Sequence, residues 1–432
     1  MDNTTGRTVT AHLTHRGERL GRFGPFEVEG ARWSMVGPVT GRLEELLGVP
    51  VAVLRLVAVT GGDGGRGGHT VYHVEALERP AGGPPSPLPG EPATVAEGHD
   101  GGAHDGGGHD DDDALLGPAD RRADWATAEG LRSALAWASD ALRAAGRTPT
   151  GPAEQIRTWN LSGLVRLPAE PGTAWLKTTN PAFNACEATV MELVRAVDPG
   201  LVPEVLAADR ERRRLLLAEV PGEDCWGPSA ETVADVVPRL VAVQAALAHG
   251  GAFATTAAES GLPDRTLATL PERVRRVLDG EAARELTPTE LTAARGLLDR
   301  LPALIADLAA CGLPDTLVHG DFHPGNWRSD GRRTVVLDFA DSCWGNPALD
   351  GLRPRAYVGD ERWAQIAELW AGAWAVHAPG SDPARALALA EPLAHLLYAV
   401  RYQEFLDSIE TSERPYHEGD PASEIRAALA CG

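Results

Sequence analysis

Long apolar runs, paired cysteines and basic residues are what this 432-residue chain is short of. No apolar stretch approaches the roughly 18 residues that a bilayer-spanning helix needs. The opening MDNTTGRTVTAHLTHRG lacks the apolar segment of a secretory signal. A soluble protein with no membrane partner is therefore expected. The five cysteines, Cys186, Cys225, Cys311, Cys343 and Cys431, are odd in number and scattered and form no CxxC pair, which excludes a disulfide framework and fits reduced thiols in a cytoplasm. Lys and Arg total 40 against 61 acidic residues, a net charge of −21, so nucleic acid is not an expected partner. The Gly-rich run GGDGGRGGHT, Gly61 to Thr70, has neither a P-loop lysine nor a strand-to-helix setting, and reads as a hairpin connection.

What is present divides the chain by composition, and 43% hydrophobic residues suffice for real cores. Residues 1–80 show strand-like alternation in TVTAHLTHRG, PFEVEG, VAVLRLVAV and TVYHVEALE, and a glycine-closed helix in WSMVGPVTGRLEELLG. This is the pattern of a small α+β accessory domain, with a protein or peptide partner as a role left open for it. Residues 81–124 are rich in Gly, Pro and Asp and aperiodic, and a disordered linker is expected there. They hold ten acids against Arg121 and Arg122, a net of −8 that leaves −13 for the rest. His99, His104 and His109 recur beside aspartates and leave weak metal binding open. From 125 to 222 a helix precedes the strands of IRTWNLSGLVRLPA and TAWLKTT, and from 223 to 432 apolar residues three and four apart predict helices. Trp363, Trp370 and Trp374 fall at helical spacing and are expected in the core.

Two segments carry chemistry. LVHGDFHPGNW, Leu317 to Trp327, and VVLDFADS, Val335 to Ser342, place Asp321, Asn326 and Asp338 in order around a short hairpin, the last at the end of a β-branched run. This trio suits phosphoryl transfer, in which positioning and charge neutralisation do most of the catalysis. Asp321 can accept or orient a hydroxyl proton, while Asn326 and Asp338 can hold Mg²⁺ on nucleotide phosphates. His319 and His323 flank Asp321; no further His or Cys stands nearby at ligand spacing, which argues against zinc, and His319 suits a loop buttress.

The wording HGDxHPGN with DFAD resembles the aminoglycoside phosphotransferase, or choline kinase-like, family, specifically here and more weakly from Ile156 onward. The resemblance implies a bilobal protein-kinase-like fold of class α+β, with a small β-rich N-lobe at 125–222 and a larger helical C-lobe at 223–432, preceded by the small domain. It implies an ATP- and Mg²⁺-dependent O-phosphotransferase acting on a small-molecule hydroxyl. Ser162 and Gly163 stand at the tip of a strand-turn-strand, and Lys177 within a strand would meet the nucleotide phosphates. Glu187, ten residues on, would orient that lysine in preference to Glu192, and the backbone of Glu219, Val220 and Pro221 would meet the adenine. Asp341 and Asp350 fall in DSCWGNPALDGL, where Asp350 would hold the loop together; Ala340 replaces the family's usual glycine. No GxGxxG is present and only eight residues separate Asp338 from Pro347, so a folded protein substrate is disfavoured. Asp407, Glu410 and Glu413 form an acidic cluster that would either receive an amine-bearing substrate, aminoglycoside-like or another cationic metabolite, or serve as a solvated helix end. A tailoring kinase for a peptide or natural-product hydroxyl and a non-catalytic nucleotide-binding pseudokinase are the alternatives.

Overall fold

Alternating side chains set the N-terminal architecture of the computed structural model, in which residues 6–81, 117, 119–249 and 261–431 are described. Strand β1 (Arg7–His15) buries Val9, Ala11 and Leu13 completely, two residues apart, as a strand with one covered face must. It pairs antiparallel with β2 (Glu18–Val28) and parallel with β4 (His69–Ala76), which pairs antiparallel with β3 (Val51–Thr60). Helix α1 (Gly37–Leu47) has a proline in its first turn and ends at left-handed Gly48. Its Val39 and Leu43 join the sheet residues in one core. The Gly61–Thr70 run closes the β3–β4 hairpin as expected; a Cβ on Gly62, at φ +80°, would lie 2.4 Å from the Arg66 carbonyl, so only glycine fits there.

Compactness divides the chain at other points than 80, 124 and 222. One unit is Met1–Thr178 with Ser408–His417, the other Thr179–Asp407 with Glu418–Gly432. In the first unit, α2 (Ala128–Ala144) starts at a Thr127 cap. Short strands β5 (Thr148–Pro149) and β8 (Ala169–Glu170) pair with each other. The hairpin of β6 (Glu154–Thr158) and β7 (Ser162–Leu167) is followed by β9 (Ala174–Thr179). The Gln155 amide exchanges two 2.8 Å hydrogen bonds with the Val53 backbone, and Tyr416 packs edge-on against Trp33 and Trp159. Most of the expected linker, including His99, His104 and His109, lies outside the described residues. Its end does not: Asp124–Ala126 forms a 3-10 turn and Arg122 Nε donates to Glu410 Oε2 at 2.6 Å.

The second unit contains α3 (Glu187–Val197) and the hairpin β10 (Val205–Asp209)–β11 (Arg214–Ala218). Strand β12 (Glu223–Asp224) is followed by α4 (Ala230–His249), α5 (Leu270–Asp279), α6 (Ala282–Glu285) and α7 (Pro288–Ala309), the last opened by a Thr287–Glu290 capping box. Strands β13 (Thr316–Val318), β14 (Trp327–Ser329), β15 (Thr334–Val336) and β16 (Cys343–Gly345) precede α8 (Ala348–Leu352), α9 (Asp360–His377), α10 (Pro383–Ser408) and α11 (Asp420–Ala430). Trp370 and Trp374 are buried in its core and Trp363 packs against it, as expected. Among the described residues no helix is long and apolar enough to cross a membrane.

Candidate active site

The two motif segments meet because β13 pairs antiparallel with β16, with Val318 opposite Cys343. This pairing sets the start of the loop from His319 beside the turn after Asp338. Gly320 makes the crossing: its φ is +84°, and a Cβ would fall 2.2 Å from the Asp341 carbonyl. Asp350, fully buried in α8, gathers the loop from behind. Its Oδ2 accepts from His319 N and Gln244 Nε2, both at 2.7 Å, and its Oδ1 accepts from Gly320 N at 2.9 Å. Burial pushes its carboxyl up to about 7, against the pull of these three N–H donors.

His319 is buried, with its ring tilted against Phe339 at 4.6 Å between centroids. Its Nδ1 accepts from Asp321 N at 3.2 Å, and its Nε2 lies 2.9 Å from the Leu337 carbonyl. Those partners select the neutral Nε2–H tautomer, and burial lowers its tendency to protonate. His323 Nδ1 caps the 3-10 turn Pro324–Asn326 by accepting from Gly325 N, and its Nε2 lies 3.3 Å from Asp321 Oδ2. The His323 ring stacks on Tyr357 at 4.1 Å.

Asp321, about a quarter exposed, is enclosed by donors. Asn326 Nδ2 donates to its Oδ2 at 3.0 Å and to its carbonyl at 2.9 Å, and Arg353 Nε donates to its Oδ1 at 2.8 Å. Burial alone would push this carboxyl up, but the Arg353 guanidinium and the His323 hydrogen bond outweigh it and hold it well below the usual carboxylate range.

Asn326 commits its Nδ2 to Asp321. The Asn326 carbonyl accepts from Leu337 N at 2.7 Å, which ties the loop to the residue before Asp338. Asp338 sits in left-handed backbone at φ +62°, ψ +67°, a conformation aspartate tolerates better than most residues and one often stored at functional sites. A carboxylate and a carboxamide oxygen are hard donors of the kind Mg²⁺ takes, so this pair fits the expected ion.

The other expected residues divide between the units. In the second, Glu187 opens α3, and its Oε1 accepts from Phe339 N at 2.9 Å, fastening the helix to the turn after Asp338. Glu192 pairs with Arg210 at the surface. The Val220 carbonyl accepts from Arg328 Nε at 2.7 Å, and Glu219 immediately precedes it. Asp341 receives the Arg401 guanidinium. In the first unit, Ser162 Oγ accepts from Trp159 Nε1 at 3.2 Å at the hairpin tip, Gly163 follows it, and Lys177 is buried on β9.

The acidic cluster is a correction. Glu410 takes Arg55 and Arg122, and Glu413 Oε1 accepts from Leu56 N at 2.7 Å, all in the first unit. Asp407, in the second, accepts from Gln403. The two glutamates are buried against arginines and backbone far away in sequence rather than gathered at a solvated helix end.

A cavity of about 70 Å³ adjoins Asp321. Arg353 and Arg401 reach it, and neither stood out in the sequence, although Arg353 follows Asp350 by three residues and so shares its helical turn. Arg353 lies over the rings of Tyr357 and Tyr398, at 5.1 and 4.7 Å from their centroids. Cys343 also lines the cavity; burial pushes its thiol up to about 12, so it is no thiolate nucleophile.

No curated protein matches the chain. Choline kinase LicA from Streptococcus pneumoniae is similar in structure, at 12% identity over 69% of this chain and 98% of its own, with a TM-score of 0.50. A choline/ethanolamine kinase family protein from Mesorhizobium loti matches at 17% identity over 70% and 98%, TM-score 0.47. The macrolide 2'-phosphotransferase MphH from Brachybacterium faecium matches at 19% over 66% and 98%, TM-score 0.42. The model of the phosphotransferase enzyme family matches residues 164–408, more than half of the chain. The chain therefore belongs to the phosphotransferase enzyme family, has a protein-kinase-like fold and is a phosphotransferase acting on a hydroxyl group.

Proposed function

We propose that the protein transfers the terminal phosphoryl group of ATP to a small-molecule hydroxyl with Mg²⁺ bound at Asn326 and Asp338. The carrying observation is the Asn326 side chain, which grips Asp321 with its nitrogen while its backbone carbonyl receives Leu337 N. One residue thereby couples the acceptor carboxylate to the metal aspartate. When bound, the ion supplies charge neutralisation on the phosphates. Lys177 and Glu187 are assigned to the nucleotide phosphates, Ser162 and Gly163 to the loop over them, and the backbone of Glu219 and Val220 to the base. His319, His323, Asp341 and Asp350 hold the loop.

Asp321 acts by orientation. A carboxylate held far below its ordinary range is a weak base, and a loose phosphoryl-transfer transition state asks for little proton abstraction before the phosphorus–oxygen bond forms. Asp321 then aligns the hydroxyl and takes its proton late. Asp321→Ala should lose turnover by about 10²-fold or more while nucleotide affinity stays near wild type, and Asp338→Ala should lose Mg-ATP affinity. Wild-type turnover in the first variant, or unchanged calorimetric affinity in the second, rejects the corresponding role.

A further inference from the structure

Away from the site already described, one group of side chains in the second unit combines oxygen, nitrogen and sulfur donors. Glu391 and His395 stand four residues apart on α10, which puts them one turn apart on one face of that helix. Cys431 caps the C-terminal end of α11. One ligand atom from each of the three lies within 4.8 Å of the other two, so small rotamer changes bring all of them to one ion. Phosphotransfer makes no use of these residues.

The surroundings prepare the imidazole. His395 Nδ1 lies 2.7 Å from Oε2 of Glu424, on α11, and among the described residues no partner meets its Nε2. A carboxylate on one ring nitrogen fixes the tautomer, aims the ring and leaves the lone pair of the other nitrogen for a metal. The other two ligands have contacts that an ion can replace. Arg355 Nη1 is 2.7 Å from Glu391 Oε1, but its side chain is half exposed and the carboxylate has a second oxygen. Cys431 Sγ donates to the Ala427 carbonyl at 3.2 Å, a weak bond that ends when a metal displaces the thiol proton. Glu391 and His395 are half-buried and Cys431 is exposed, which leaves the ion a path from solvent.

Thiolate, imidazole and carboxylate together suit Zn²⁺, whereas Mg²⁺ takes oxygen donors. We propose that Glu391, His395 and Cys431 bind Zn²⁺, with Glu424 as the positioning residue for His395. The ion then staples the end of α11 to α10, the helix that also supplies Tyr398 and Arg401 to the cavity beside Asp321. This site stands independently of the phosphotransfer reading. The test is titration of the reduced, chelator-stripped full chain with Co²⁺, whose thiolate charge-transfer absorption reports sulfur ligation. Cobalt held by His99, His104 and His109, or by Asn326 and Asp338, gives no such band. The band should appear in the wild type, persist in excess Mg²⁺, disappear on adding Zn²⁺ and be lost in Cys431→Ser, a change at an exposed side chain. Glu424→Gln should weaken Co²⁺ affinity by at least about tenfold. Zn²⁺ should also raise the Tm of the wild type more than that of Cys431→Ser. No band at saturating Co²⁺, a band that survives Cys431→Ser, or an affinity unchanged in both Glu391→Gln and His395→Asn overturns the proposal.

Discussion

Arg353 shows how one side chain sets the chemistry of another. Its guanidinium faces Asp321 Oδ1 with two nitrogens at 2.8 Å and itself lies over two tyrosine rings, so the carboxylate is charged and held on one side. An opposite charge this close lowers a carboxyl by about one to three units. Arg353→Met should therefore raise the Asp321 carboxyl toward its ordinary range and, by freeing its rotamer, lower kcat at neutral pH by at least about tenfold with Mg-ATP affinity unchanged. A wild-type kcat in the variant shows that the guanidinium does not hold the carboxylate in place. The meeting of Asp321 with Asn326 was legible in the sequence, because the two stand five residues apart on one loop. Arg353 was not, since its role exists only once a later helix turns it back onto the loop. Glu410 and Glu413 misled for the complementary reason: acids can be counted along a chain, whereas Arg55 and Arg122, which neutralise Glu410, stand hundreds of residues away.

At the scale of elements, the site is a junction of short strands whose geometry tolerates little change. Strand β13 delivers the chain to His319 and β16 carries it away after Asp341, and between them Gly320 passes against the Asp341 carbonyl. Alternation and turn residues predicted the hairpin between Asp321 and Asp338, because such signals are local. The crossing at Gly320 is non-local, and nothing in HGD by itself demanded a left-handed glycine. Gly320→Ala places a Cβ 2.2 Å from that carbonyl and costs about 1–2 kcal/mol for the left-handed backbone alone. Relief requires the β13–β16 pair to part, which also pulls the Gly320 N–H from Asp350. Differential scanning calorimetry should show a fall in Tm of several degrees, with turnover reduced at least about tenfold. A variant with native Tm and rate would mean the crossing is compliant.

Across the whole molecule, the first unit is completed by a segment from near the other end of the chain. Ser408–His417 contributes Tyr416 to the core of the N-terminal sheet and Glu413 to the edge of β3, where Leu56 N donates to it. The small N-terminal domain inferred from composition is therefore not closed by its own residues, and a contiguous reading of the sequence has no means of supplying Tyr416. The arrangement places a titratable group where folding reads it. Burial pushes the Glu413 carboxyl up to about 8, with the neighbouring Glu410 adding to the rise and the Leu56 N–H and Arg55 opposing it. The folded form holds a proton that the unfolded chain, at the ordinary 4.5, releases. Folding therefore takes up a proton between about pH 4.5 and 8. In that window this group's contribution to stability falls as pH rises, by at most about 1.4 kcal/mol per pH unit. Carboxyls held low, such as Asp321, slope the other way at more acid pH, so the readout is the difference between wild type and Glu413→Gln, whose amide keeps the shape without titrating. Urea midpoints for the transition of the first unit, taken at pH 5.5 and 8.5, should fall further for the wild type than for the variant. Parallel shifts in the two proteins would mean that Glu413 is ionised in the folded state, and that its charge is balanced by the same Arg55 that Glu410 holds.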